Sequence, residues 1–80
     1  MKGGQYMNIN SPLPGTILEV QVKKGDLIKK GQVLLIIESM KMQNEIYAEN
    51  DGLVEEVYIN INSMVKTEQP LLNIIKNEND

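Results

Sequence analysis

Apolar residues along this chain come in short runs, some alternating and some continuous, separated by Gly, Pro, Asn and Asp. Such runs are typical of β-strands, and no segment keeps the three-and-four spacing of an amphipathic helix for long. The pattern predicts an all-β protein. We expect strands over residues 6–10, 16–22, 33–39, 42–48, 53–59 and 71–76, with very short strands at 27–28 and 64–65.

The same pattern occurs twice, with an offset of 37 residues. Eight of the 23 positions from 15 to 37 are identical to the positions 37 residues later, among them Gly15 and Gly52. The shared apolar positions change parity between 17 and 20 and again between 54 and 57, which a regular strand with one buried face cannot accommodate. The sequence therefore predicts a duplicated β unit with a pseudo-two-fold axis and a bulge or sharp coil in each half.

Composition limits what such a unit can do. The 80 residues are 41% hydrophobic without Phe or Trp, which predicts one domain with an aliphatic core. The chain has no Cys and no His, so disulfides, thiolate metal sites and an imidazole general base are excluded. We therefore expect no catalytic activity of the chain on its own and no metal site.

Charge and hydropathy bear on partners and location. The net charge is −3, and all eight basic residues are lysines, so we expect no nucleic-acid partner. The longest apolar run, residues 33–37, is far shorter than the roughly 20 residues that span a bilayer, so we expect no membrane insertion. A soluble, cytoplasmic protein is the resulting expectation.

The candidate chemistry lies between the two halves, in the segment 38–42 with the sequence Glu-Ser-Met-Lys-Met. The flanking predicted strands place Lys41 at a hairpin tip, where its amine is accessible to another enzyme. Most surface lysines are simply solvated, but here the neighbours are Met40 and Met42, and exposed methionines suit contact with a partner. The alternative for these two residues is that one of them packs inward.

The segment 38–42 resembles the Glu-Ala-Met-Lys-Met biotinylation motif of biotin carboxyl carrier domains, with Ser39 in place of Ala. Residues 11–15 (Ser-Pro-Leu-Pro-Gly), the turns at 24–26 and 30–32, and Asp51-Gly52 are also similar to that family. The resemblance covers roughly residues 6–75. It implies a flattened barrel or sandwich of two four-stranded antiparallel sheets, a barrel-sandwich hybrid, with the acceptor lysine on a β-hairpin tip.

The resemblance also implies a function. A biotin protein ligase would attach biotin covalently to Lys41, and carboxybiotin would carry a carboxyl group between biotin carboxylase and carboxyltransferase or decarboxylase partners. Met40, Met42, Ser39 and Glu38 would form the motif flank that the ligase recognises. For Glu38 the plainer interpretation is a solvated charge at a strand end.

Some features depart from the family. In the second half, Asn62-Ser63 and Glu68 stand where the family often has Gly-Asp and Gly, which predicts less favourable turns away from the acceptor. Residues 16–25 lack the protruding insertion, or thumb, of some bacterial acetyl-CoA carboxylase carriers. Relatives of decarboxylase, transcarboxylase and acyl-CoA or pyruvate carboxylase type fit better.

Three other functions compete with this one. A lipoyl carrier domain of a 2-oxoacid dehydrogenase type complex is alike in fold but typically has Asp-Lys-Ala around its lysine. If the chain were an unmodified interaction module, Lys41 would have no special role. An independent enzyme would need a nucleophile with a neighbouring base, and this chain cannot assemble such a pair without His or Cys. We expect the carrier domain to occupy residues 6–76, with a flexible segment or a remnant of cloning at 1–5 and a tail at 77–80.

Overall fold

The computed structural model describes residues 5–76, which form eight strands. In chain order these are β1 (Gln5–Asn10), β2 (Gly15–Val20), β3 (Leu27–Ile28), β4 (Val33–Ser39), β5 (Met42–Tyr47), β6 (Gly52–Val57), β7 (Met64–Val65) and β8 (Pro70–Lys76). They form two four-stranded antiparallel sheets, sheet A with the order β1-β8-β6-β3 and sheet B with the order β5-β4-β2-β7. The predicted fold class is confirmed. The expectations for residues 1–4 and 77–80 fall outside the described residues.

The 37-residue repeat relates the two sheets to each other. Adding 37 to the first residue of β1, β2, β3 and β4 gives the first residue of β5, β6, β7 and β8. The same operation converts the strand order of sheet A into that of sheet B. Each half of the sequence contributes two strands to each sheet, so neither half forms a sheet by itself. The predicted pseudo-two-fold is therefore present, and the two halves are interlocked.

The predicted irregularity in each half is a register shift. The β2–β4 pairing shifts between Ile17 and Glu19, and the β6–β8 pairing shifts between Val54 and Glu56. The extra residue lets Ile17 and Val54 point into the core while Val20 and Val57, three positions later, also pack against it. The parity change in the sequence located both shifts.

The core is entirely aliphatic. Its most deeply buried members come from the repeated positions of β2, β4, β6 and β8, and they are Ile17, Leu34, Leu35, Ile37, Val54, Leu71, Leu72 and Ile74. Burying a side chain of this kind stabilises the folded state by roughly 1.5–3 kcal/mol before the loss of conformational entropy is counted. Aliphatic packing between the sheets therefore holds the hairpin strands in place.

No membrane-spanning helix is found in the described part of the chain.

Some predicted strand ends were wrong. The strands predicted at 16–22 and 53–59 end at Val20 and Val57, and the one predicted at 42–48 ends at Tyr47. Val22 and Ile59 are buried all the same, so the apolar pattern continues after the chain has left the sheet. At the other end, β1 begins at Gln5, which pairs with Lys76 rather than belonging to a flexible segment.

Candidate functional site

Lys41 lies at the tip of the hairpin that joins β4 to β5. Ser39 pairs directly with Met42, so Met40 and Lys41 form a two-residue loop. Both have positive φ angles, 54° and 65°, as a two-residue turn of type I′ requires at its two central positions. Asn-Gly is the favoured pair there, and a left-handed conformation costs other residues roughly 1–2 kcal/mol each. The loop therefore holds two strained residues at the end of a strand pair that is in regular register from Leu35 to Ser39.

The strands below the tip fix the direction of this loop. Glu38 pairs with Gln43 on one side and with Thr16 of β2 on the other, so the end of β4 is held from both sides. Gly15 lies so close to β4 that a Cβ atom at this position would overlap the carbonyl oxygen of Glu38. This close approach packs the start of β2 against the base of the hairpin.

A side chain that the sequence analysis missed also braces the hairpin. The Asn44 amide nitrogen donates to the carbonyl oxygen of Met42 at 3.2 Å and to that of Ile37, across the strand pair, at 3.4 Å. The repeat offers the signal that could have found it, because the equivalent position in the other half is Met7. A polar residue at a position that is apolar in the other half points to a local role.

The predicted flanking residues are arranged around an open tip. The exposed fraction is 92% for Met40 and 67% for Met42, so the alternative in which one of them packs inward does not hold. Lys41 and Glu38 are exposed and Ser39 is half-buried. The structure thus brings all five residues of the segment 38–42 to one end of sheet B, with both methionine side chains in solvent.

The tip offers an amine but no machinery to activate it. Among residues 5–76 the ion pairs are Lys23 with Asp26 and Lys24 with Glu56, and neither involves the hairpin. The described residues also contain no cluster of acids that could hold a metal ion. A neighbouring base is one of the groups that activate a lysine as a nucleophile, and a ligase can supply such a group from its own active site. The site can therefore present an amine in a fixed direction.

Comparison with known proteins identifies the group to which such a site belongs. Residues 7–74 match the family described as "Biotin-requiring enzyme". The chain belongs to this family. It is 43% identical over 72 residues to the methylcrotonoyl-CoA carboxylase subunit alpha of Dictyostelium discoideum, covering 90% of this chain. It is 54% identical over 48 residues to the methylmalonyl-CoA decarboxylase subunit gamma of Veillonella parvula, covering 60% of this chain.

Solved structures agree with the family. A single-chain, multi-domain long-chain acyl-CoA carboxylase superposes on 98% of this chain with a TM-score of 0.86 and 27% identity, and 8% of that protein is covered. The lipoyl domain of the 2-oxoglutarate dehydrogenase complex from Azotobacter vinelandii has a TM-score of 0.75 and 26% identity, with 85% of this chain and 94% of the domain covered. The biotinyl and lipoyl domains thus share this fold.

The family and the relatives together confirm the prediction of a biotin carboxyl carrier domain. Such a domain is a part of biotin-dependent carboxylases and decarboxylases and is not catalytic by itself. They also support covalently attached biotin as the cofactor and favour it over the lipoyl alternative. The chain spans 10% of the Dictyostelium protein and 37% of the Veillonella protein. The reaction of a complete complex is therefore not fixed by these matches.

Proposed function

We propose that Lys41 is the residue that accepts biotin, and that the hairpin carries the cofactor between two active sites of a biotin-dependent carboxylase or decarboxylase. The observation that carries the proposal is the two-residue tip, where an exposed lysine stands between two exposed methionines. No other lysine of the described residues lies in such a hairpin loop between two strands.

The residues at the tip fit this cofactor. The Lys41 amine would form an amide with the carboxyl group of biotin, with loss of water overall in a condensation that the ligase couples to ATP hydrolysis. An open tip leaves room for a ligase to enclose the lysine. When bound, biotin supplies a ring nitrogen that can hold a carboxyl group. Met40 and Met42 provide flexible apolar surface, which suits contact with the ligase and with the partner active sites.

The rest of the domain serves to present the tip. The paired strands, the Gly15 contact and the Asn44 hydrogen bonds hold the loop in one direction. A tethered group meets its partner sites at the high effective concentration that the tether sets, without free diffusion. The Glu38 side chain is exposed and forms no ion pair with the described residues, so the ligase could bind it as part of the motif.

The test is the intact mass after incubation with a biotin protein ligase, ATP and biotin. We expect one biotin on the wild-type chain and none on Lys41→Arg, since guanidinium is far less nucleophilic than an amine. Lys66→Arg is the matched control, because Lys66 is also exposed and arginine keeps its positive charge. This variant should be biotinylated fully.

Two results would contradict the proposal. One is biotin on Lys41→Arg, with peptide mapping that assigns the label to another lysine. The other is a folded wild-type chain that stays unmodified with the biotin ligase but gains one lipoyl group with a lipoate ligase, which would move the domain to the lipoyl class.

A further inference from the structure

A groove lies between the sheets where their outer strands, β1 and β5, face each other. No pair of Cα atoms across these two strands lies within 8 Å, and the groove has a volume of about 460 Å³. Within residues 5–76, each of the two strands has a hydrogen-bonded neighbour on one side only. One edge of each backbone therefore keeps free donors and acceptors that face the groove or the solvent.

The floor of the groove is apolar. It is formed by Ile9 and Ile46, which occupy equivalent positions of the repeat, together with Met7 and Ile74. Met7, Ile9 and Ile46 are half-buried and pack on the core from its edge. An aliphatic side chain that entered from outside would contact these residues and would continue the core between the sheets.

The rim of the groove is acidic. Glu45 and Glu49 line it, and among residues 5–76 no lysine does. Among the described residues neither carboxylate forms an ion pair. The Tyr47 hydroxyl donates to Glu45 at 2.5 Å, and this hydrogen bond to the carboxylate raises the pKa of Tyr47. The rim thus has two uncompensated negative charges and one half-exposed aromatic ring.

A second groove shows that the acidity is not a property of the fold. It lies at the coils that follow β2 and β6, has a volume of about 540 Å³, and is lined by the repeat-related Val20 and Val57. Its charged residues are Lys23 and Lys24. Each is already paired, Lys23 with Asp26 at 3.3 Å and Lys24 with Glu56 at 3.1 Å. The repeat therefore produces both grooves, but among the described residues only the first has unpaired charges for a ligand.

We propose that the groove between β1 and β5 binds an extended segment of another polypeptide with Lys or Arg on both sides of an aliphatic residue. The aliphatic side chain would pack on Ile9 and Ile46, and the cations would pair with Glu45 and Glu49. An extended backbone would pair with a free strand edge, the usual geometry of strand addition. The surface does not include Lys41, so it acts apart from biotin attachment.

The test uses the 15N-labelled chain and the probe peptide acetyl-Ser-Lys-Val-Arg-Ser-amide, followed by NMR at low salt. A matched peptide with Glu in place of Lys and Arg is the control ligand. We expect chemical-shift changes for the basic peptide at Ile9 and at residues 45–47, with the acidic peptide giving none. Glu45→Gln with Glu49→Gln should weaken binding by more than about twofold and up to about thirtyfold, the effect of losing two exposed ion pairs.

The control protein is Glu19→Gln with Glu68→Gln, which removes the same charge from exposed positions that do not line the groove. Its affinity should stay within about twofold of the wild type. The proposal is overturned if the acidic peptide binds equally well, or if the shifts fall at the hairpin or at Val20 and Val57. Absence of any shift at about 1 mM peptide, or equal weakening in the two double variants, would overturn it as well.

Discussion

Equivalent strand pairs of the two sheets end in different ways. In sheet B, Ser39 pairs with Met42 and the loop of Met40 and Lys41 closes the hairpin. In sheet A, the equivalent residues Lys76 and Gln5 also pair, but no loop joins them, because they lie 71 residues apart in the chain. The β1–β8 pair of sheet A thus forms without a connecting turn. In sheet B the equivalent pair carries a tip of two projecting residues.

The same comparison separates what belongs to the fold from what belongs to the site. The register shifts, the buried leucines and isoleucines, and the close approaches of Gly15 and Gly52 occur in both halves. Within residues 5–76, the strained two-residue tip, the Asn44 brace and the acidic groove rim occur once. Repeated features stabilise the molecule, and features that break the repeat are the candidates for function.

The largest expected effect tests whether equivalent core positions contribute equally. Leu35 and Leu72 are repeat partners and both are fully buried. Leu35→Ala and Leu72→Ala should each lower the free energy of unfolding by about 3 kcal/mol, because each leaves a cavity in the same kind of environment. Urea denaturation measures both. A difference above about 1.5 kcal/mol between the two variants would show that the halves are not energetically equivalent.

A smaller effect concerns a turn at which the halves differ. Gly31 has a φ of 89°, and its repeat partner Glu68 has a φ of 71°. A side chain in this left-handed region costs about 1 kcal/mol, partly offset by the greater freedom of glycine in the unfolded chain. Glu68→Gly should therefore stabilise the protein by about 0.5 kcal/mol, and Gly31→Glu should destabilise it.

These two variants are compared by their thermal midpoints. The midpoint should rise for Glu68→Gly and fall for Gly31→Glu. Midpoints that move in the same direction would mean that contacts of the glutamate side chain, rather than the backbone angle, decide the stability of this turn.

The smallest effect is a pH dependence confined to one half. The Asp26 carboxylate accepts a hydrogen bond from the backbone nitrogen of Lys23 at 2.9 Å, and this bond holds the pKa of Asp26 below its ordinary value. In the other half, the Ser63 hydroxyl accepts the equivalent bond from Asn60 at 3.0 Å. Because the folded pKa is lowered, the stability that Asp26 contributes is present above its unfolded pKa and is lost as the pH falls.

Asp26→Ser converts the first turn into a copy of the second. Between pH 7 and about pH 3, the urea midpoint of the wild type should fall further than that of Asp26→Ser, since the other acids are common to both proteins. An equal or larger fall in the variant would show that this carboxylate does not contribute to the acid sensitivity of the fold.

Much of the architecture could be predicted from local patterns. Short apolar runs predicted the eight strands, the parity change located the register shifts of the β2–β4 and β6–β8 pairings, and the segment 38–42 marked the hairpin and its lysine. Strand ends were less accurate because Val22 and Ile59 keep the apolar pattern while the chain crosses between sheets. The Asn44 brace was missed, since a single asparagine in a strand has no local signature. Lys41 as the biotin acceptor and a cytoplasmic location stay predictions.

The sequence by itself determined the repeat, the aliphatic core and the position of the lysine between two strands, because periodicity and residue type are local properties. Only the tertiary structure decided that each half divides its strands between both sheets, since strand order depends on packing between distant segments. It also decided that Ile9 and Ile46 line the same groove with Glu45 and Glu49 on its rim. Surfaces of this kind form where separate strands come together, and no single stretch of sequence encodes them.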